Sequence, residues 1–284
     1  MRGSAVSRGD LLRHRGIVAG AGLVAAFVAA SLLAPWLAPL DPQAIPTGLG
    51  AASLRPPAPP HAFGTDVLGR DLLSRVLYGG RVSLMVGVGV ELLVVLFGTA
   101  IGLIAGYYGG WLDSLLMRVT DVVMAFPSLV LAIGLIAVFE KPGLDKVFLV
   151  LVLLGWTTIA RVVRGQVLSL REREYVQAAR ALGVRDAVIL LRHLLPNCLG
   201  PILVAATIGV GGNMVAEAGL SFLGLGAQAP TISWGAMLAE GQTFLSSAPW
   251  VAVFPGLALM LAVLGVNLLG DGLRDLLDPR FRGS

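Results

Sequence analysis

The chain is poor in the side chains that build soluble chemistry. It has one cysteine, Cys198, and three histidines, His14, His61 and His193, spread far apart along its 284 residues. A lone thiol closes no intrachain disulfide, and no Cys/His grouping with zinc spacing occurs, so neither a disulfide scaffold nor a bound metal is expected. Charge is scarce as well. Asp, Glu, Lys and Arg make up 13% of the residues, about half of the ~25% usual in soluble domains. Only two lysines are present, Lys141 and Lys146, and each follows an acidic region, Glu140 and Asp145. A P-loop needs Gly-Lys before Ser or Thr, so the chain has no such device for ATP. It also lacks HExxH and a Ser/His/Asp constellation, which argues against an intramembrane enzyme.

What is abundant is apolar. Hydrophobic residues are 56% of the chain and the mean hydropathy is +0.83, the composition of a polytopic membrane protein surrounded by lipid. The formal charge of +4 is placed as the positive-inside rule requires, and nucleic-acid binding is not expected. A span needs about 20 mainly apolar residues. Six candidates meet this: Ile17–Leu37, Val82–Tyr107, Leu115–Val138, Val147–Val163, Cys198–Leu220 and Trp250–Leu269. The apolar run of the first is longer than the roughly 7–15 residues of a signal-peptide core, and it reads as a retained anchor. The fold class is therefore all-α, with six transmembrane helices.

Counting Lys and Arg orients them. Arg2, Arg8, Arg13 and Arg15 precede the first span, Arg274, Arg280 and Arg282 follow the last, and the Arg161–Arg192 block lies between the fourth and fifth. The stretch Gly226–Pro249 has no Lys or Arg. Both termini are thus expected in the cytoplasm; the long first outer loop, with Arg55, Arg70, Arg75 and Arg81, counts little in this rule. The chain divides into a cytoplasmic segment 1–16, an anchor 17–37, an extracytoplasmic loop 38–81, a five-helix core 82–270 enclosing a cytoplasmic loop 164–197, and a cytoplasmic tail 271–284. In the outer loop, LRPPAPPHAFG (Leu54–Gly64) is too rich in proline for helix or central strand. The next residues put Leu68, Leu72, Val76 and Leu77 on one helical face, with Asp71 and Arg75 at i,i+4. This predicts an amphipathic helix at the membrane surface, with docking of an external partner as a second use.

REREYVQAARALGVRDAVILLRHLLPN (Arg171–Asn197) carries five arginines amid apolar sequence. Ser169 and Glu172 have the spacing of a capping box, Gly183 suits a left-handed helix end, and Asp186 can cap a second short helix that must stop before Pro196. The pattern predicts helix, tight turn, helix. Ala178 and Ala179 give the first helix a narrow side, ringed by Arg173, Glu174, Gln177 and Arg180.

YVQAARALG followed by HLLPN resembles the cytoplasmic loop of binding-protein-dependent ABC importer permeases. That motif reads Glu-Ala-Ala, three residues, Gly, then nine residues and a hydrophobic-x-Leu-Pro ending. Ala178, Ala179, Gly183 and Pro196 stand at those positions, while Gln177 replaces the usual Glu and His193 the usual hydrophobic residue. FGTDVLGRDLLSRVLYGGRVSL (Phe63–Leu84), GYYGGWLD (Gly106–Asp113), AFPSLVLAI (Ala125–Ile133) and AEAGLSFLGLG (Ala216–Gly226) resemble the dipeptide, oligopeptide and nickel permease subfamily. The resemblance implies a type I importer permease of a bacterial or archaeal cytoplasmic membrane. It implies a second homologous permease, two ATPase subunits that bind ATP and Mg, and an extracytoplasmic solute-binding protein. Glu174, Tyr175, Gln177, Ala178, Ala179, Arg180, Gly183 and Pro196 become the residues expected to couple to the ATPases. Peptides are the subfamily's broadest substrate class; nickel, glutathione and other small solutes follow. An ion-coupled secondary transporter is the reading from a different class, and it would leave the charged loop without a purpose.

In the fifth span Gly209, Asn213, Glu217 and Ser221 recur every four residues and share a face. Charge at mid-bilayer costs about 2.5–3.5 kcal/mol on insertion scales and usually faces a bundle interior or water. The stripe therefore faces either the passage or a neighbouring helix. Asp121 in the third span offers the same choice, passage or an ion pair with Arg118 or Arg161. Pro127 should kink that span. Gly98, Gly102 and Gly106 make two GxxxG steps and read as helix packing.

Overall fold

The computed structural model describes residues 14–46 and 53–277. The expected positions of Arg2, Arg8, Arg13, Arg280 and Arg282 lie outside the described residues. Those residues form helices α1 (Arg15–Leu32), α2 (Ala34–Leu37), α3 (Leu72–Tyr108), α4 (Gly110–Met124), α5 (Ser128–Ile136), α6 (Leu144–Leu170), α7 (Glu174–Ala181), α8 (Asp186–Val188), a π-helical stretch (Ile189–Leu194), α9 (Leu195–Phe222), α10 (Trp234–Gln242) and α11 (Trp250–Leu277). No strand occurs among the described residues. Five helical segments are long and apolar enough to cross a membrane, and α4 with α5, a pair bent by 86°, brings the number to six when counted as one broken span.

α3 departs from expectation. Asp71 caps it, accepting from the Ser74 backbone N–H at 2.8 Å, and the helix then runs unbroken to Tyr108. At ~1.5 Å per residue it is about 55 Å long, well beyond a ~30 Å hydrocarbon core. The predicted separate amphipathic helix is thus the outer extension of the second span. Gly79 and Gly80 do not break it. They make room for Trp234, whose ring edge comes within 3.2 Å and 2.9 Å of where their Cβ atoms would sit. Trp234 Nε1 donates to the Val76 carbonyl at 2.9 Å.

The Gly98–Gly102–Gly106 face does pack as expected. A Cβ on Gly102 would meet the Ala160 carbonyl at 2.6 Å, and one on Gly106 would meet Val167 at 2.8 Å, so α3 and α6 touch backbone to backbone. α1 is seated on α11 in the same way: a Cβ on Gly20 would meet the Leu269 amide nitrogen at 2.5 Å. His14 at the start of α1 reaches Asp275 near the end of α11 at 3.4 Å. At the other end of α1, the Ser31 and Leu32 carbonyls accept from Arg81, near the start of α3, at 2.7 Å and 3.0 Å. The start of α1, the end of α11 and the end of α3 therefore share one end of the bundle.

Pro127 does more than kink its span. It sits at the N-cap of α5 and cannot donate a backbone hydrogen bond, so the span turns sharply between Met124 and Ser128. Pro196 does less than predicted. The helix passes through it, because the π-helical turn at Ile189–Leu194 widens the ladder where the proline ring would meet the Arg192 carbonyl.

Candidate functional site

The loop between α6 and α9 is a helix and tight turn as read, with its start shifted. α6 continues through Ser169 to Leu170 because Val167 and its neighbours still have α3 to pack on, so Ser169 caps nothing. α7 begins four residues later, with Arg173 at the N-cap. Its end is a Schellman turn. Val184 N–H bonds the Ala179 carbonyl at 3.1 Å, Gly183 N–H bonds Arg180 at 2.9 Å, and Gly183 has φ +71°, the left-handed conformation glycine takes without strain. Arg185, one residue before the expected Asp186, is the N-cap of α8.

The two alanines part company. Ala178 is exposed, whereas Ala179 is buried with Val176 in the bundle's own core. Glu174, Tyr175, Gln177 and Arg180 share the open side with Ala178. Leu182, which the sequence reading passed over, is 82% exposed at the turn's tip. Arg173, Glu174, Arg185 and Arg192 are exposed and form no ion pair among the described residues. His193 packs near Tyr175, ring centroids 6.3 Å apart. Pro196 sits in the first turn of α9.

A second residue that the sequence did not single out, Tyr107, ties this loop to the end of α3. Its hydroxyl donates to Asp186 Oδ1 at 2.6 Å, and the Arg180 guanidinium lies 4.5 Å over its ring. Arg171 Nη1 adds a bond to the Gly106 carbonyl at 2.9 Å. Nearby, Arg164 grips Asp113 at 2.5 Å and 2.7 Å, and Arg161 pairs with Asp121 at 2.5 Å. Of the two partners open to Asp121 in the sequence, Arg161 is the one it takes.

The stripe on α9 faces α3. Glu217 is fully buried and accepts from Ser83 at 3.1 Å and Ser221 at 2.7 Å, with Ser233 a third hydroxyl partner. Ser221 in turn accepts from the Ala227 amide at 3.0 Å. Asn213 Nδ2 donates to Glu91 Oε2 at 2.9 Å, and the Glu91 carboxyl lies directly over Gly209. Glu91 was not among the sequence candidates; its signal was a single acid inside an otherwise apolar span. Asn213 also lines a cavity of about 690 Å³ walled by Ala216 on α9, Thr157 and Thr158 on α6, and Phe126 and Ser128 at the α4–α5 break.

At the start of α3 the charges close on themselves. Asp66, fully buried, accepts from Arg70 Nε at 2.6 Å, from the Leu68 and Arg70 amides at 2.9 Å and from Arg75. Arg75, 3% exposed, reaches Glu240 on α10 at 2.6 Å and 3.0 Å. The i,i+4 pairing of Asp71 with Arg75 does not form as a side-chain pair; Asp71 accepts from Ser74 Oγ at 2.7 Å and meets His61 at 2.9 Å.

The profile of the family described as the binding-protein-dependent transport system inner membrane component matches residues 98–283. The chain belongs to this permease family. A second profile, the N-terminal TM domain of oligopeptide transport permease C, matches residues 7–57 of this permease. The permease is 42% identical to the dipeptide transport system permease protein DppC of Alkalihalophilus pseudofirmus, over 96% of this chain and 88% of that one. It is 45% identical to the glutathione transport system permease protein GsiD of Pectobacterium atrosepticum, over 80% and 75%. The inward-facing methionine ABC transporter MetNI shares its fold, with TM-score 0.58 and 19% identity over 72% of this chain and 96% of that one. The permease is thus an inner-membrane transport subunit rather than an enzyme, of a family that works with ATPase and solute-binding partners. Relatives named for peptides and glutathione favour neither a nickel permease nor an ion-coupled carrier.

Proposed function

We propose that this permease imports di- and oligopeptides across the cytoplasmic membrane. It pairs with a second, homologous but different permease, two ATPase subunits that bind ATP and Mg, and an extracytoplasmic binding protein. The observation that carries the reading is the open side of α7, where Ala178 and the exposed Leu182 tip stand on a glycine-terminated helix surrounded by unpaired charges. Such a rigid, narrow knob fits a groove on another protein and passes rigid-body motion to α6 and α9 on either side. Both termini and this loop are assigned to the cytoplasm on the positive-inside count. Peptide as cargo rests on the relatives named for dipeptide and glutathione transport. Asn213, at the cavity, is the pathway residue this reading favours. Glu217 and Ser221 hold α9 on α3, and Asp121 holds α4 on α6.

The test is uptake of a labelled dipeptide into vesicles holding the complete transporter and its binding protein. ATP on the ATPase side should drive accumulation. Uptake that ignores ATP but follows an ion gradient would overturn the proposal in favour of an ion-coupled carrier.

A further inference from the structure

Most buried or bundle-facing acids in this permease are neutralised by cations or surrounded by donors. Asp66 has two arginines, Asp113 has Arg164, Asp121 has Arg161, and Glu217 has three hydroxyls. Glu91 has neither. It is 5% exposed, and its one hydrogen-bond partner among the described residues is the Asn213 amide. It stands about 28 Å along the ~55 Å of α3 at ~1.5 Å per residue, far from either end. An acid at mid-bilayer depth costs about 2.5–3.5 kcal/mol on insertion scales, and such groups mark substrate or ion pathways.

The surroundings point to where a partner enters. Gly209 presents bare backbone to the carboxyl; a Cβ there would collide with all three carboxyl atoms. Asn213 is a shared wall: it donates to Glu91 and lines the 690 Å³ cavity, which Phe126 and Ser128 wall on either side of Pro127. The cavity's remaining walls are mostly apolar side chains and hydroxyls, with no Lys or Arg among them. Glu91 stands behind Asn213, one hydrogen bond from the cavity wall, and no cationic side chain lines the cavity to repel an incoming cation.

Resting on the peptide-import reading, we propose that Glu91 and Asn213 form a transient recognition site for the primary ammonium at the peptide N-terminus as it crosses the membrane. Asn213 holds the carboxylate while the site is empty, and the ammonium replaces that bond when cargo passes.

The experiment uses the complete transporter in proteoliposomes, with ATP inside reach of the ATPases and saturating binding protein preloaded to equal occupancy. The probes are a lysine-free dipeptide and its N-acetyl form. Wild type should move the free-amine peptide at least about tenfold faster than the acetylated one, and Glu91→Gln should bring the two within about twofold by slowing the first, a difference of about 1 kcal/mol or more. Glu91→Asp should keep the preference at a lower rate, and it serves as the readout should the Gln variant fail to assemble; loss of preference in a well-assembled Asp variant would count against the site. Equal slowing of both peptides by Glu91→Gln would make Glu91 a packing residue and overturn the proposal, as would an unchanged preference. Sodium-dependent uptake that Glu91→Gln removes would reassign the carboxylate to an inorganic cation. ATP-independent uptake by wild type would sink the importer reading itself, whereas ATP-driven uptake with unaltered preference sinks this site alone.

Discussion

α3 joins two charged regions that handle charge in opposite ways. At its start, Asp66, Arg70, Arg75 and Glu240 pair with one another and draw the Leu54–Asp71 loop against α10. At its end, the loop around α7 leaves Arg173, Glu174, Arg185 and Arg192 open to solvent. A cluster whose partners all lie within one chain is complete when that chain folds. A cluster open to solvent leaves its charges free for another protein to pair. The first is architecture, and the second is the interface that the proposed coupling role requires.

The comparison breaks most visibly at Arg75. Replacing it with Met removes the buried cation between Asp66 and the partly exposed Glu240, leaving Arg70 as their shared partner. Removing one partner of a buried ion pair costs about 3–5 kcal/mol; the lower end applies because Asp66 keeps Arg70 and two backbone amides. Thermal unfolding of the purified permease in detergent should show a lower midpoint and less folded protein. An unchanged midpoint would mean that the loop is held by its aromatic contacts, the Phe63–Phe254 stack at 4.0 Å and the Trp250 bond to Thr65 at 3.3 Å.

The other region should answer differently. Ala178→Trp puts a large side chain on an exposed face, so folding should change by less than about 0.5 kcal/mol. Docking should suffer, with ATPase subunits recovered alongside the permease falling at least about tenfold, or 1.4 kcal/mol. Full stoichiometric recovery would remove Ala178 from the interface.

How much of this was legible in the sequence depends on the range of the interaction. The spans were readable because hydropathy is local and additive, and Gly183 because only a left-handed residue ends a helix that way. The start of α3 was hidden because the apolar face of Leu68–Leu77 reads as a surface helix, and only Trp234, far along the chain, shows what packs on its continuation. Pro196 was misjudged for a related reason: a π-turn relieves the clash, and no spacing rule announces one. In the candidate site, the α7 loop was found from its motif, but Ala179's inward turn, the exposed Leu182 tip and Tyr107's role depend on which face meets the bundle. Glu91 was missed because one acid scarcely lowers the hydropathy of a window as apolar as GVGVELLVV.

Tyr107 sharpens the comparison most finely, because it is the point where the open region is fastened to α3. Tyr107→Phe keeps the ring under Arg180 and deletes only the hydroxyl bond to Asp186, a net loss of about 0.5–1.5 kcal/mol. The open side of α7 is untouched, so ATPase recovery and basal hydrolysis should stay at wild-type level. What weakens is the link that makes α3 follow the loop. Peptide moved per ATP should therefore fall by about two- to fivefold, the ratio that 0.5–1 kcal/mol supports. Parallel loss of hydrolysis and transport would mean that the bond merely folds the loop. Loss of transport with hydrolysis intact would make Tyr107 a positioning residue between the engine's knob and the helix that carries Glu91.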